Sequence, residues 1–397
     1  MDISARVKSY RKIEGLRQRP LIVYATSTRA GVPAMMAGDA VREFIDQVDA
    51  ISDSRAVDIL IHSTGGDALA AWKLMSVLRE RIQSVAVLVP YMAFSAATIF
   101  ALGADEIVMH PNASLGPIDP QIAIRMPDGS YRQFSFEDVG AFLRFLSEEV
   151  GLTEQSYLSA IVEKLFSVVD PVSVGGAKRA SELSTDVGER LLQMHMKGAE
   201  ERGRARVIAE ALNKSFFAHG DAVSRSRARE LHLSIAEDDL ELEAAIWDAY
   251  IAIESYMQLR EPFNPLHHFI ANGGGGVLQA KAPLTLPPNA PPQLATQLWN
   301  QVAQNAAQAL GQPGLEVQYS LVNALVESPR LASEFRSSGT LSATRVAGGE
   351  VQLASVDKES CWRRVRIPKP AAKAKSKPRS KTKGTSQSGG GKATRVP

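Results

Sequence analysis

A serine set among small residues, where an apolar strand gives way to a helix, is the residue of this sequence best placed to do chemistry. Val85 to Val89 is apolar and rich in β-branched residues, Pro90 ends the strand, and Ala93, Ser95, Ala96 and Ala97 open a helix that stays apolar to Leu102. The first turn of a helix has free backbone N–H groups and partial positive charge, so Ser95 could attack an acyl carbon and have the resulting oxyanion caught. A second turn of the same kind lies upstream. The strand Val57 to His62 runs into Ser63-Thr64-Gly65-Gly66-Asp67, and Ala68 to Arg79 then has helical spacing through Leu69, Trp72, Leu74, Met75 and Leu78. A Gly-Gly pair there lets the backbone approach a ligand and aim an N–H at it, although a plain tight turn has the same pattern. In a parallel sheet the two loops converge at the carboxyl ends of the strands.

STGGD at 63–67, AFSAAT at 93–98 and ADEIVMHPNASLGPIDPQ at 104–121, in that order, resemble the serine dehydrogenase proteinase family, which is related to Clp protease and to signal peptide peptidase A. The resemblance runs from about Pro20 to about Ala236 and includes FFAHGDAVSRSRARELHLSI at 216–235. It implies an α/β protein: a Clp/crotonase-like spiral of ββα units with a helical C-terminal part. It also implies peptide-bond hydrolysis by a serine, and assembly into rings or stacked trimers. Carried over position by position, Ser95 is the nucleophile and the N–H groups of Gly66 and Ala96 form the oxyanion hole.

The general base is less direct. Clp protease uses a histidine whose place here falls near Ile118 and Asp119, and neither is one; His110 stands earlier, just before Pro111-Asn112. A serine–lysine dyad of the signal-peptide-peptidase kind fits better. A lysine base needs burial or a neighbouring cation to bring its pKa down from about 10.4 by roughly three units. Lys178, in VSVGGAKRAS, follows Gly175, Gly176 and Ala177, which allow close packing, and its place resembles that of the family's helix lysine. Lys164 and Lys197 compete with it.

Several elements must position these groups. Leu21 to Thr26 reads as a first strand, and Gly38 to Ile51 as an amphipathic helix capped by Asp39. Ile107 to Met109 reads as a short strand, and Gln121 to Phe136 as a hairpin turning at Asp128-Gly129. Phe136 to Leu259 is largely helical, with breaks at Asp170-Pro171, Gly175-Gly176 and His219-Gly220, where His219 reads as a helix C-cap. Ser84 to Ala104 lacks charge over a length that could cross a bilayer, but Pro90 splits it into a strand and a helix, so no integral membrane segment is expected. The domains are accordingly a peptidase domain over 1–260, a Pro/Gly-rich linker over 261–292, a helix at 293–310 with a small strand-rich appendage up to 365, and a disordered basic tail over 366–397.

Composition sets the outer limits. The N-terminus is charged throughout and lacks the apolar core of a secretory signal, and the single cysteine, Cys361, excludes an intrachain disulfide. Both point to the cytoplasm. The histidines show no metal-ligand spacing with Asp, Glu or Cys, so neither metal nor cofactor is expected. The net charge of +2 hides a division: the last 32 residues hold ten Lys or Arg and no acid, which leaves −8 for the rest. Such a tail could contact nucleic acid, an anionic membrane or neighbouring subunits, and its lack of aromatics argues against stacking on bases. The expected partners are thus peptide or unfolded protein as substrate, further copies of the chain, and polyanions at the tail. Two other functions share these features. In an acyl-CoA enzyme of the crotonase kind, the Gly66 and Ala96 amides would polarise a thioester without a nucleophile. A non-catalytic scaffold would merely present the tails.

Overall fold

The computed structural model describes residues 3–125, 129–214, 222–275, 291–294, 296–298, 300, 315–345, 351–368 and 390. Helix α1 (Ile3–Arg17) leads into β1 (Leu21–Thr26), and α2 (Val41–Asp49), β2 (Ala56–His62), α3 (Ala68–Arg79) and β3 (Ser84–Val89) follow. Strands β1, β2 and β3 pair in parallel, neighbour to neighbour. The chain continues through β4 (Met92–Ala93), α4 (Ala96–Leu102), β5 (Glu106–Met109) and β6 (Ser114–Leu115). Here β5 extends the large sheet beside β3, while β4 and β6 pair in a separate small sheet. Strands β3 and β5 are each followed by a short strand of the small sheet before the next helix, and single bridges at Met36–Gly66 and Ser63–Ala93 stand in the same place after β1 and β2, which is the ββα spiral of the expected α/β fold.

A hairpin of β7 (Ile122–Arg125) and β8 (Tyr131–Phe134) precedes α5 (Phe136–Arg144), α6 (Gln155–Phe166), α7 (Pro171–Leu192) and α8 (Ala199–Lys214). Then β9 (Val223–Ser224) closes the small sheet against β6, and α9 (Arg225–Glu230), α10 (Leu240–Met257) and α11 (Pro265–Phe269) complete the helices named here. The alternation of apolar side chains along the strands builds a core on each sheet face. Ile22, Tyr24, Ile59, Ile61, Val85 and Val87 pack with α2, α3, α4, α7 and α8. Leu21, Val23, Leu60, Ala86 and Leu88 pack with α10 and with Tyr10 and Ile13 of α1.

The strand-rich segment near the C-terminus joins the central sheet. Strands β10 (Glu316–Glu327), β11 (Ala332–Arg345) and β12 (Val351–Val365) run antiparallel, and β10 pairs with β1, giving the order β12-β11-β10-β1-β2-β3-β5. A buried ion pair ties this addition to the N-terminus. Glu327, on β10, accepts from Arg6 Nε at 2.7 Å, Arg6 Nη2 at 3.0 Å and the Tyr10 hydroxyl at 2.5 Å, and the Arg6 guanidinium lies 3.7 Å from the centre of the Tyr256 ring. Arg6 and Glu327 are 2% and 1% exposed, so each relies on the other for its solvation.

Several local expectations change. Asp39 does not cap α2, which starts after a short 3₁₀ turn at Gly38–Ala40; its carboxylate instead accepts from Trp362 Nε1 on β12. Gly175-Gly176 does not break the chain: α7 runs straight through it, started by Asp170, whose side chain accepts from Ser173 N–H, and held by buried Ala177, Ser181 and Ser184. The uncharged stretch from Ser84 divides into β3 and α4 as expected, and among the described residues no helix is long and apolar enough to cross a membrane. The turn at Asp128, the cap at His219, the linker beyond Gly275, most of the helix at 293–310 and nearly all of the tail lie outside the described residues. The chain to Ile367 forms one unit and Pro368–Pro397 another.

Removing one member of the buried pair should be costly. Arg6→Ala or Glu327→Ala leaves an uncompensated buried charge and is expected to destabilise by about 3–5 kcal/mol, read as a shift in urea unfolding midpoint at constant slope. Replacing both together should recover part of that loss.

Candidate active site

Ser95 sits at the point where β4 hands over to α4, with φ +51° and ψ −118°. A non-glycine residue in this region carries strain of order 1–3 kcal/mol and stays there only when its surroundings fix it. Its side chain caps no helix N–H, and the residue is half-buried. Apolar α4 behind it is buried along its whole length, so the turn is presented from a rigid base.

Two extended stretches flank the serine. Residues 63–66 run beside 92–94, with Ser63 N–H bonded to the Met92 carbonyl and Phe94 N–H to the Ser63 carbonyl. Gly65 faces Ser95 so closely that a Cβ on it would stand 2.6 Å from Ser95 Cβ, 2.5 Å from the Phe94 carbonyl oxygen and 3.0 Å from Ala96 N. Gly65 and Gly66 also have φ of +104° and +148°, which side chains disfavour. On the other side, Met36 N–H bonds to the Gly65 carbonyl at 2.7 Å, and Asp67 N–H to the Met36 carbonyl at 2.9 Å. The Gly66 and Ala96 amides, expected to form an oxyanion hole, have no acceptor among the described residues. The serine turn and the glycine turn are therefore brought together.

The lysine is not placed with them in this way. Lys178 is 57% exposed on α7, its ammonium 3.7 Å from Glu182 one turn on, and a Cβ added at Gly175 or Gly176 would meet open space. The glycines expected to allow close packing thus face outward, and the amine stands in solvent beside a carboxylate, not in the packed setting sought for a base. Lys164 and Lys197 are exposed as well. His110 turns to the α10 side, where its ring stacks on Trp247 at 4.7 Å and its Nδ1 accepts from Asn112 N–H. His62, unremarked in the sequence, is fully buried among Tyr91 and Tyr250, with Nε2 3.4 Å from Thr28 Oγ1. Burial pushes its pKa down to about 4.

Met36 and Thr98 also escaped the sequence reading. Met36 acts only through its backbone, which no side chain betrays. Thr98 could have been noticed as the one hydroxyl in the apolar run from Ala96 to Leu102.

Residues 3–135 match the family of ClpP-like SDH-type serine proteinases. Two uncharacterized proteins of Methanocaldococcus jannaschii are similar at 32% identity over 124 residues and 34% over 128, in each case covering 30% of this chain and 43% of the relative. The chain therefore spans less than half the length of these relatives. Among solved structures, a mutant of the 1510-N membrane-bound stomatin-specific protease in complex with a substrate peptide aligns at 18% identity and a TM-score of 0.32, over 52% of this chain and 74% of that one. ClpP1 from Listeria monocytogenes aligns at 13% identity and a TM-score of 0.30, over 58% and 98%.

The buried imidazole makes the fold sensitive to acid. His62 is neutral when folded and ordinary when unfolded, so the unfolded chain binds more protons between its usual 6.5 and about 4. Stability should fall as pH drops through that window, by up to about 3 kcal/mol. Urea unfolding of wild type and His62→Phe at pH 7 and pH 4.5 should show a smaller pH difference in the variant. The resemblance stated from the sequence is met by the comparison, and residues 3–135, with Ser95 and its glycine turn among them, carry the pattern of the ClpP-like SDH-type serine proteinases.

Proposed function

We propose that the chain is a serine endopeptidase that cleaves peptide bonds through an acyl-enzyme on Ser95. The observation that carries this reading is the strained Ser95 turn at the head of α4, set against Gly65, with the Gly66 and Ala96 amides uncommitted. In the first step Ser95 Oγ bonds to the scissile carbonyl carbon, its proton passes to the base, and the carbonyl oxygen takes the electron pair and is held by the two amides. Collapse expels the amine, which takes up the proton, and water then releases the acid by the same route.

A lysine completes a Ser-Lys dyad, and Lys178 is the candidate carried from the family resemblance. To act, its amine must leave Glu182 and lose its water, which a bound peptide or a neighbouring copy could bring about. The substrate is a peptide or an unfolded segment, and the working form is a homo-oligomer, trimer-based or a ring. A single cysteine suits the cytoplasm. The basic tail is a polyanion contact separate from the peptidase.

Ser95→Ala should abolish both peptide cleavage and labelling by a fluorophosphonate, followed by intact-protein mass spectrometry, while the thermal midpoint changes little. Unlabelled wild-type protein would count for the acyl-CoA reading. Lys178→Ala should lower turnover by roughly a hundredfold or more; near-normal turnover would move the base elsewhere.

The tail gives a separate outcome. A chain ending at Ile367 keeps the contacts of Ile367 with Ile3, Val7 and Ala332 and should cleave small peptides normally. It should lose retention on heparin, whereas retention of the full chain should fall steeply with salt.

A further inference from the structure

Beneath the glycine turn lies a pair of fully buried hydroxyls that the reaction outlined above does not use. Thr26, the last residue of β1, donates from Oγ1 to Ser63 Oγ at 2.7 Å. Ser63 Oγ accepts from Gly65 N–H at 3.0 Å and reaches the Gly65 carbonyl at 3.5 Å. Thr26 and Ser63 are both 0% exposed. Water cannot replace either bond, so losing one partner leaves a buried polar atom unmatched.

The geometry around Gly65 gives these bonds a direction. The peptide between Gly65 and Gly66 is planar and trans, so its carbonyl and its N–H point opposite ways. The carbonyl is held by Met36 N–H at 2.7 Å, and the peptide before it is held through Gly65 N–H by Ser63. Glycine at φ +104° has no side chain to restrict its rotation, so these two anchors are what fix the plane. The Gly66 N–H is thereby aimed away from Met36. The same Gly65 lies against Ser95 Cβ and Ala96 N, so a rotation here would shift one oxyanion donor relative to both the nucleophile and the second donor.

We infer that Thr26 and Ser63 are positioning residues for catalysis: the Thr26–Ser63–Gly65 hydrogen-bond chain sets the orientation of the Gly66 oxyanion amide. The inference rests on Ser95 being the nucleophile and assigns a function to two residues that touch neither substrate nor the reacting atoms. It differs from a purely structural role in what it predicts. A merely stabilising pair would change unfolding and leave the reaction of the folded protein alone. A positioning pair changes the rate of bond formation at Ser95 without changing how the probe binds.

Fluorophosphonate labelling of Ser95 in the full chain, resolved into a maximal labelling rate and a half-saturating concentration, separates the two. Thr26→Val, which keeps the shape and removes the hydroxyl, should lower the maximal rate by roughly tenfold, and Ser63→Ala by more, towards the loss of a whole oxyanion donor. The half-saturating concentration should stay within about twofold of wild type. Thr26→Ser should restore the rate, because it returns the hydroxyl without the methyl. All measurements are made well below each variant's thermal midpoint, so a lower stability does not enter the rate; should Ser63→Ala fail to fold, the Thr26 pair decides alone. Wild-type rates in Thr26→Val would overturn the inference while leaving the serine peptidase reading intact. No labelling of wild type at Ser95 would overturn both.

Discussion

One threonine hydroxyl holds the Ser95 turn in register with its surroundings. Thr98 Oγ1, in the first turn of α4, stands 2.7 Å from the Ala93 carbonyl and 2.9 Å from the Gly116 carbonyl, and accepts from Gly116 N–H at 3.0 Å. These groups belong to the strand entering the serine turn and to the loop after β6, so a single buried group ties the first turn of α4 to the β4–β6 pair beside it. Fully buried, it has one proton to share between the two carbonyls. A serine at φ +51° would relax if its neighbours let it. Thr98 behind, Gly65 in front and the apolar helix below leave it nowhere to go.

The central sheet separates two kinds of chemistry. On the α4 side, small residues bring backbones close together and leave amides uncommitted. On the α10 side, Tyr91, His110, Trp247 and Tyr250 pack ring against ring over His62. His62 and Ser63 are adjacent in sequence and, by the alternation of a strand, point to opposite sides. One β2 terminus thus supplies both a neutral, desolvated imidazole for packing and a hydroxyl for holding the glycine turn. Histidine near a candidate nucleophile invites assignment as its base; here the alternation sends it to the other face.

Much of this was legible in the sequence because the signals were local. Strand-length apolar runs ending in small residues pointed to β2 and β3, and the two small-residue turns pointed to the meeting of the Ser95 turn with the glycine turn. What escaped depended on groups far apart in the chain or on backbone atoms. Asp39 looks like a helix cap until Trp362 arrives from β12 to claim it. Gly175-Gly176 looks like a break because helix propensity penalises glycine, but packing of Ala177, Ser181 and Ser184 outweighs that local cost. Lys178 looked buried by association with those glycines, although glycine creates room only where another element comes to fill it. The weak alternation after Val317 could not say which edge it would join, since a strand's partner is set by long-range register.

The pairing of β10 with β1 has a consequence for how the chain is made. Arg6 and Glu327 lie 321 residues apart, and β1 keeps an open edge until β10 has been synthesised. Strands β1, β2, β3 and β5 and the turns that converge on Ser95 all precede that moment on the ribosome. Throughout that interval an arginine destined for a buried ion pair must remain in water, and an apolar strand offers its unpaired N–H and C=O groups to any extended segment nearby. Non-local pairing of this kind is slow because loop closure comes before the contacts that reward it. The late strands therefore act as the closing stitch of biosynthesis: the nascent sheet is most exposed to mispairing just before they arrive.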